Sequence, residues 1–213
     1  MQDDRHITFF YAPQTRALGT LVLLEELGAP YELRVLDTRN GETRQPDYLK
    51  INPLGKVPAI LDGDALVTEQ GAIFIHLADR FPAAGLAPPL GDPLRGPYLR
   101  WLVLYGSSLE PAMVDRALKR APAAPTMSPY GDGDSVVKLI ETQLARGPYL
   151  LGDRFTAADV LWGVALHWLV GFKIFPESPS VMNYIARVTS RPAYVKSASE
   201  DTEHAARRAA PKS

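Results

Sequence analysis

"VPAILDGDALVTEQGAIFIHLADRF", residues 57–81, changes its hydrophobic period partway along, and that change decides the fold. "VPAILDG" and "ALVTE" are short apolar runs on either side of "DGD", the signature of a β-hairpin. From Gln70 onward the apolar residues recur at helical spacing until a Pro- and Gly-rich stretch, "PAAGLAPPLGDPLRGP", closes the segment. Two strands and a helix in this order form a ββα unit.

Upstream lies its complement. "HITFFYA" (6–12) reads as a strand, and "RALGTLVLLEELG" (16–28) reads as a helix stopped at Gly28, a natural C′ residue. "YELRVLD" (31–37) alternates as a second strand, and the polar "TRNGETRQPDYLKIN" (38–52) leads to the hairpin. The first part, residues 1–81, is therefore βαβ followed by ββα, with a linker at 82–93. Residues 94–213 show helical patterns alone: α/β is followed by all-α. "YLRWLVLYGSSLEPAMVDRALKR" carries an apolar stripe interrupted near Gly106 and Pro111, so one kinked helix or two are open. "APAAPTMSPYGDGD" is a loop and "SVVKLIETQLARG" an amphipathic helix. "TAADVLWGVALHWLVGF" is apolar nearly all round, hence a buried central helix, and "SPSVMNYIARVTSRP" and "PAYVKSASEDTEHAARR" supply the last helices before a frayed tail.

Composition removes whole classes of chemistry. The 213 residues carry a formal charge of −1 and no cysteine. Disulfides, thiolate metal sites and any mechanism through a protein thiol are excluded, and the dispersed basic residues disfavour nucleic acid as a partner. The acidic start "MQDDRHITFF" does not read as a signal peptide, and no stretch approaches the roughly 20 apolar residues of a membrane span. A soluble, cytoplasmic protein is expected. "GDGD" (131–134) lacks a full calcium ligand register and reads as a loop tip, so no metal is expected.

Local patterns in the right order make this architecture specific. "FYAPQTRALGTLVLLEELGAPYE" (10–32), "INPLGKVPAI" (51–60), "TEQGAIFIHLADRF" (68–81) and "LLGDRFTAADVLWG" (150–163) together resemble the cytosolic glutathione S-transferase family, nearest to bacterial beta-like members. The resemblance implies the glutathione transferase fold: a thioredoxin-like glutathione-binding domain (1–81) and an all-helical domain (94–213) that supplies the electrophile site. It implies glutathione as co-substrate, a hydrophobic small molecule as its partner, a homodimer and a role in detoxification.

Site residues follow from matching this sequence to the family pattern. The Val57–Pro58 bond is expected to be cis, with the Val57 backbone pairing with the cysteinyl part of glutathione like an added strand. Lys56 belongs to the same glutathione-binding segment. Glu69 would take the γ-glutamyl ammonium, and Gln70, in place of the usual serine, its carboxylate at a helix start. The sulfur needs one donor or cation, because a free thiol near pKa 8.5 is mostly protonated at neutral pH. Aligned on Pro13 and "LLEELG", Arg16 stands where beta-like members carry cysteine and Ala12 where other classes carry serine. Thr15, Arg16 and Tyr11 remain as candidates: a hydroxyl at a helix start, a cation and a phenol. Tyr105, Ser108 and Met113, with Trp168 and Phe172, are expected to line the electrophile site. Trp101, Trp162 and His167 are read as core, and Glu110, in an apolar stripe, needs a partner such as Arg16 or a tyrosine. Thr156 and Asp159 form a capping box after the apolar Phe155.

The function expected is conjugation of glutathione to a hydrophobic electrophile. The alternatives are glutathione-dependent peroxide reduction, which needs the same thiolate, and a non-catalytic ligand-binding or interaction protein that retains the fold.

Overall fold

The computed structural model describes residues 6–209 apart from 122 and 125. It divides into two compact units: the chain up to Ala84 together with the chain from Pro192 onward, and the stretch Gly85–Arg191.

In the first unit, four strands form a mixed sheet in the order β2-β1-β3-β4. β1 (Ile7–Tyr11) runs parallel to β2 (Tyr31–Val35) with Phe9 opposite Leu33, and antiparallel to β3 (Ala59–Asp62) with Phe9 opposite Ile60. β3 turns through Gly63, at φ 60°, into β4 (Ala65–Val67), the hairpin read from "DGD". The parallel pair needs a crossover, which α1 (Ala17–Leu27) provides; only Glu25 and Glu26 of that helix escape burial. The helix stops at Gly28, whose φ of 60° is the left-handed cap expected there. α3 (Gln70–Arg80) follows the hairpin.

Two features of this unit were absent from the sequence reading. α2 (Pro46–Ile51), entered through Pro46 at its first turn, is six residues long and too short to show an amphipathic period. α9 (Pro192–Ala209) groups with this unit, whereas the sequence division placed all of 94–213 together. Beneath the sheet, the fully buried Asp62 carboxylate pairs with Arg80 and with His76 at 2.8 Å, so the ionised group does not sit alone in the interior.

The second unit is helical: α4 (Arg95–Leu104), α5 (Glu110–Ala117), α6 (Gly133–Leu144), α7 (Ala157–Gly171) and α8 (Pro179–Thr189). Much of the expected linker belongs to it, since Leu86 is buried and accepts the Ala157 N–H at 2.8 Å. The interruption expected near Gly106 and Pro111 is a π-helical turn, Tyr105–Leu109, that joins α4 to α5. "GDGD" does not remain a loop tip throughout, because Asp132 caps α6 by accepting from the Ser135 N–H at 2.8 Å.

α7 is the buried helix foreseen, and the Thr156–Asp159 capping box is present at its start. The Asp159 carboxylate also accepts from the Leu150 N–H (2.8 Å) and the Tyr184 hydroxyl (3.1 Å). Desolvation nevertheless pushes Asp159 up to about 6. Trp101 and Trp162 are core residues, with the Trp162 indole N–H donating to the Trp101 carbonyl at 2.9 Å. His167, read as core, is instead exposed: on a helix this apolar the period does not say which side meets water. The frayed tail at 210–213 and the acidic start at 1–5 lie outside the described residues. Among the described residues, no helix is long and apolar enough to cross a membrane.

Candidate functional site

β1 delivers the chain to a turn, Ala12–Arg16, at the N-terminus of α1. The Thr15 hydroxyl donates to the Ala12 carbonyl at 2.7 Å and accepts the Ala17 N–H at 3.2 Å, so it satisfies one of the orphan donors of α1. Thr15 is half-buried and Arg16 exposed. Both line a cavity of about 330 Å³ together with Thr38, Thr43, Arg44, Gly55, Lys56 and Val57.

The opposite wall of this cavity is the segment leading into β3. Its backbone is fixed from inside: the Lys56 carbonyl accepts from the Tyr48 hydroxyl (2.6 Å) and the Asn52 amide (2.9 Å). Val57–Pro58 is cis, as the motif implied. The ladder between β1 and β3 ends with Phe10 opposite Ala59, so Val57 lies beyond it, at the cavity. Gly55, at φ 60°, could bear no side chain, since a Cβ there would stand 2.6 Å from the Thr43 carbonyl oxygen and 3.0 Å from the Arg44 guanidinium.

α3 begins at the same end of the sheet. Glu69, just before it, is exposed and holds φ 62°, ψ 118°, a conformation that costs an L-residue energy and that accumulates at ligand sites. The Gln70 amide donates to the Arg16 carbonyl at 2.9 Å, tying the start of α3 to the start of α1, while its Oε1 is buried without a partner. Gln70 was expected to give its side-chain N–H to a carboxylate. Here that amide reaches α1, which leaves the backbone N–H groups at the start of α3 as carboxylate donors.

Tyr11 is placed differently from the other sulfur candidates. It is 0 % exposed and its hydroxyl donates to the Asp201 carboxylate on α9; burial and that carboxylate push the phenol well above its ordinary range. The cavity is lined by Thr15 and Arg16 and not by Tyr11. Alternation along β1 decides this, because Ile7, Phe9 and Tyr11 share the buried face.

Several lining residues escaped the sequence reading. Thr38, Thr43 and Arg44 come from the polar connection after β2, and Gly55 from "PLGKVP". A polar, cation-bearing stretch just upstream of the proline motif was the available signal. With Arg16, Arg44 and Lys56 around it and two helix N-termini nearby, the cavity suits a ligand carrying carboxylates. Glu69, exposed at the start of α3, carries the opposite charge.

In the second unit, Tyr105 and Ser108 of the π-turn and Met113 of α5 are 4 %, 8 % and 2 % exposed and present almost no open wall, because all three lie on the buried side of their elements. The Tyr105 hydroxyl donates to Glu110 at 2.7 Å, the tyrosine partner that carboxylate required. Trp168 and Phe172 touch at 5.9 Å between ring centres near the end of α7, with Phe172 exposed.

These features coincide with known sequences. The model of the glutathione S-transferase N-terminal domain matches residues 6–79, and that of the glutathione S-transferase C-terminal domain matches residues 132–187. A tobacco protein named glutathione S-transferase APIC is 30% identical over 196 residues, covering 85% of this chain and 92% of its own. The chain belongs to the cytosolic glutathione S-transferase family. Disulfide-bond oxidoreductase YfcG of Escherichia coli is 28% identical over 201 residues, 88% of this chain and 92% of that one. A sphingomonad glutathione S-transferase solved with glutathione superposes with a TM-score of 0.75 at 28% identity, over 92% of this chain and 98% of that one. The family fold, a thioredoxin-like domain plus a helical one, is therefore the fold of this chain. Among the described residues no group of three or more His, Asp or Glu side chains could hold a metal.

Proposed function

We propose that this family member binds glutathione in the cavity between Thr15 and Val57, lowers the pKa of its thiol and conjugates it to a hydrophobic electrophile. The observation that carries the reading is that one cavity brings together a helix-start hydroxyl, cations for carboxylates and the backbone beside a cis-proline. The exposed Glu69 at the start of α3 adds an acceptor for the ligand's ammonium.

When glutathione is bound, its sulfur supplies the nucleophile; the chain's part is to hold it deprotonated. Thr15 sits at the positive end of α1, and rotating its hydroxyl from the Ala12 carbonyl toward the ligand would give the thiolate a hydrogen bond. Arg16 adds charge at the same cavity. The thiolate attacks an electrophilic carbon, the leaving group departs with the bonding electron pair, and the thiol proton goes to water.

Ultraviolet titration of glutathione into the protein across pH tests this. The bound thiol should ionise about two units below the free thiol near pKa 8.5. Thr15→Ala should move that value back up and cut kcat roughly tenfold or more, while Thr15→Ser keeps it. Full activity in both Thr15→Ala and Arg16→Ala would overturn the assignment of the sulfur donor.

A second reading is glutathione-dependent disulfide or peroxide reduction, favoured by the likeness to YfcG and by a thiolate site that uses no protein cysteine. Turnover of a glutathione mixed disulfide faster than any aryl halide would select it. The family membership supports a homodimer in the cytoplasm, and light scattering, which should give twice the chain mass, checks the dimer.

A further inference from the structure

α9 lines no part of the cavity, yet it grips both loops that flank Thr15. The buried Asp201 carboxylate accepts the Tyr11 hydroxyl through Oδ1 and the Gln14 N–H through Oδ1 at 3.0 Å and Oδ2 at 3.3 Å. Gln14 is held at φ 57°, in the left-handed region, although it is neither glycine nor asparagine. Such a conformation persists only where surrounding bonds over-determine it. Its own Oε1 accepts from Arg39 at 2.8 Å. About two turns further along α9, Arg208 donates to the Leu36 carbonyl and stands 3.9 Å from Asp37, whose Oδ1 accepts the Arg39 and Asn40 N–H groups. α9 therefore fastens the end of β1 and the end of β2 to one rigid helix.

We propose that Asp201 is a positioning residue of the thiol site: by holding the Gln14 N–H it fixes the turn that presents Thr15 and the N-terminus of α1 to the glutathione sulfur. The inference rests on the reading of that cavity given above. It assigns to the C-terminal helix a share in thiol activation although no atom of that helix reaches the sulfur. An amide at 201 leaves one uncharged oxygen for the Tyr11 hydroxyl and the Gln14 N–H together and sets an NH2 donor against the second of the two oxygens that Gln14 now uses, so the turn relaxes out of the left-handed region, which rotates the next peptide and swings Thr15. Displacements near 1 Å at a reacting centre cost up to about a hundredfold in rate. The titratable groups around Asp201 are the phenol of Tyr11 on β1 and, on its own helix, Tyr194, Glu200, His204 and Arg208. Asp201 therefore acts through geometry and not as a proton donor to the thiol.

The test uses Asp201→Asn in the full chain, with the ultraviolet thiolate titration, kcat and KM for glutathione and a melting curve measured side by side. The thiol pKa should rise by about one unit, with a tenfold loss of kcat below it and KM within about threefold. Adding Gln14→Gly to Asp201→Asn should bring the thiol pKa back toward wild type, since glycine adopts the left-handed turn unaided. A purely structural role for Asp201 predicts a lower melting temperature with the thiol pKa and the pH–rate profile unchanged, and that result overturns the proposal. So does a folded double variant with no recovery. If Asp201→Asn does not fold, Asp201→Glu, which keeps the charge and shifts it by one methylene, carries the same comparison. A wild-type protein that binds glutathione without lowering its thiol pKa defeats the reading of the cavity, and this proposal falls with it. A lowered wild-type pKa left intact in the variants defeats Asp201 alone.

Discussion

At the scale of single residues, what matters is which polar atoms are already engaged. Tyr11 and Thr15 both carry a hydroxyl close to the expected sulfur position, and sequence spacing alone does not rank them. Burial and the Asp201 carboxylate commit the Tyr11 hydroxyl to the interior, whereas Thr15 stays at the cavity with a weaker, rotatable bond to Ala12. Glu69 is the other telling residue, because its positive φ turns an acidic side chain outward at the start of α3. Glu69→Gln should raise the glutathione Kd roughly tenfold, the loss of one charge-assisted hydrogen bond, with the melting temperature unchanged; isothermal titration calorimetry checks it. The proline motif and Glu69 were legible in the sequence because a few adjacent residues define them. Arg44 and Gly55 were not, since the packing of Gly55 under Arg44 joins residues that no local period relates.

At the scale of elements, α7 shows how a cap and a close contact place a helix. Gly163 lets α8 approach so closely that a Cβ there would stand 2.5 Å from Val188 Cγ1. The cap has a pH signature. Asp159 in the folded chain holds its proton up to about pH 6, against 3.8 as its ordinary value. Between those values the folded state binds more protons than the unfolded chain, so this residue's contribution to stability is complete below about pH 4 and is lost as the pH rises through about 6. Denaturant titrations should show the advantage of wild type over Asp159→Asn shrinking by about 2–3 kcal/mol across that interval and then levelling. Element types along most of the chain were readable from periodicity. α2 was not, because six residues opened by proline show no period, and neither was the π-turn, whose extra residue per turn registers in sequence only as a break in the stripe.

At the scale of the whole molecule, the chain returns at its C-terminus to the unit in which it began. α1 is buried on almost every side, and α9 supplies part of that cover, including the ion pair from Lys196 to Glu25 at 2.7 Å. A chain ending at Arg191 should therefore lose the cooperative unfolding of its first unit and its glutathione binding together, while the helices of Gly85–Arg191 still form; circular dichroism and glutathione titration read the two effects. A domain boundary placed by composition could not anticipate this, because the Pro- and Gly-rich linker marks where the chain leaves the first unit and nothing comparable announces its return.

Residue type and short-range spacing were enough for the four strands and for the helices other than α2, for the cis-proline segment, the capping box and the family. Tertiary structure alone decided which hydroxyl meets the cavity, which cations surround it and that the last helix braces the turn beneath it. Those outcomes depend on burial and on partners as distant as Tyr11 and Asp201, and burial is set by the folded whole and not by local pattern.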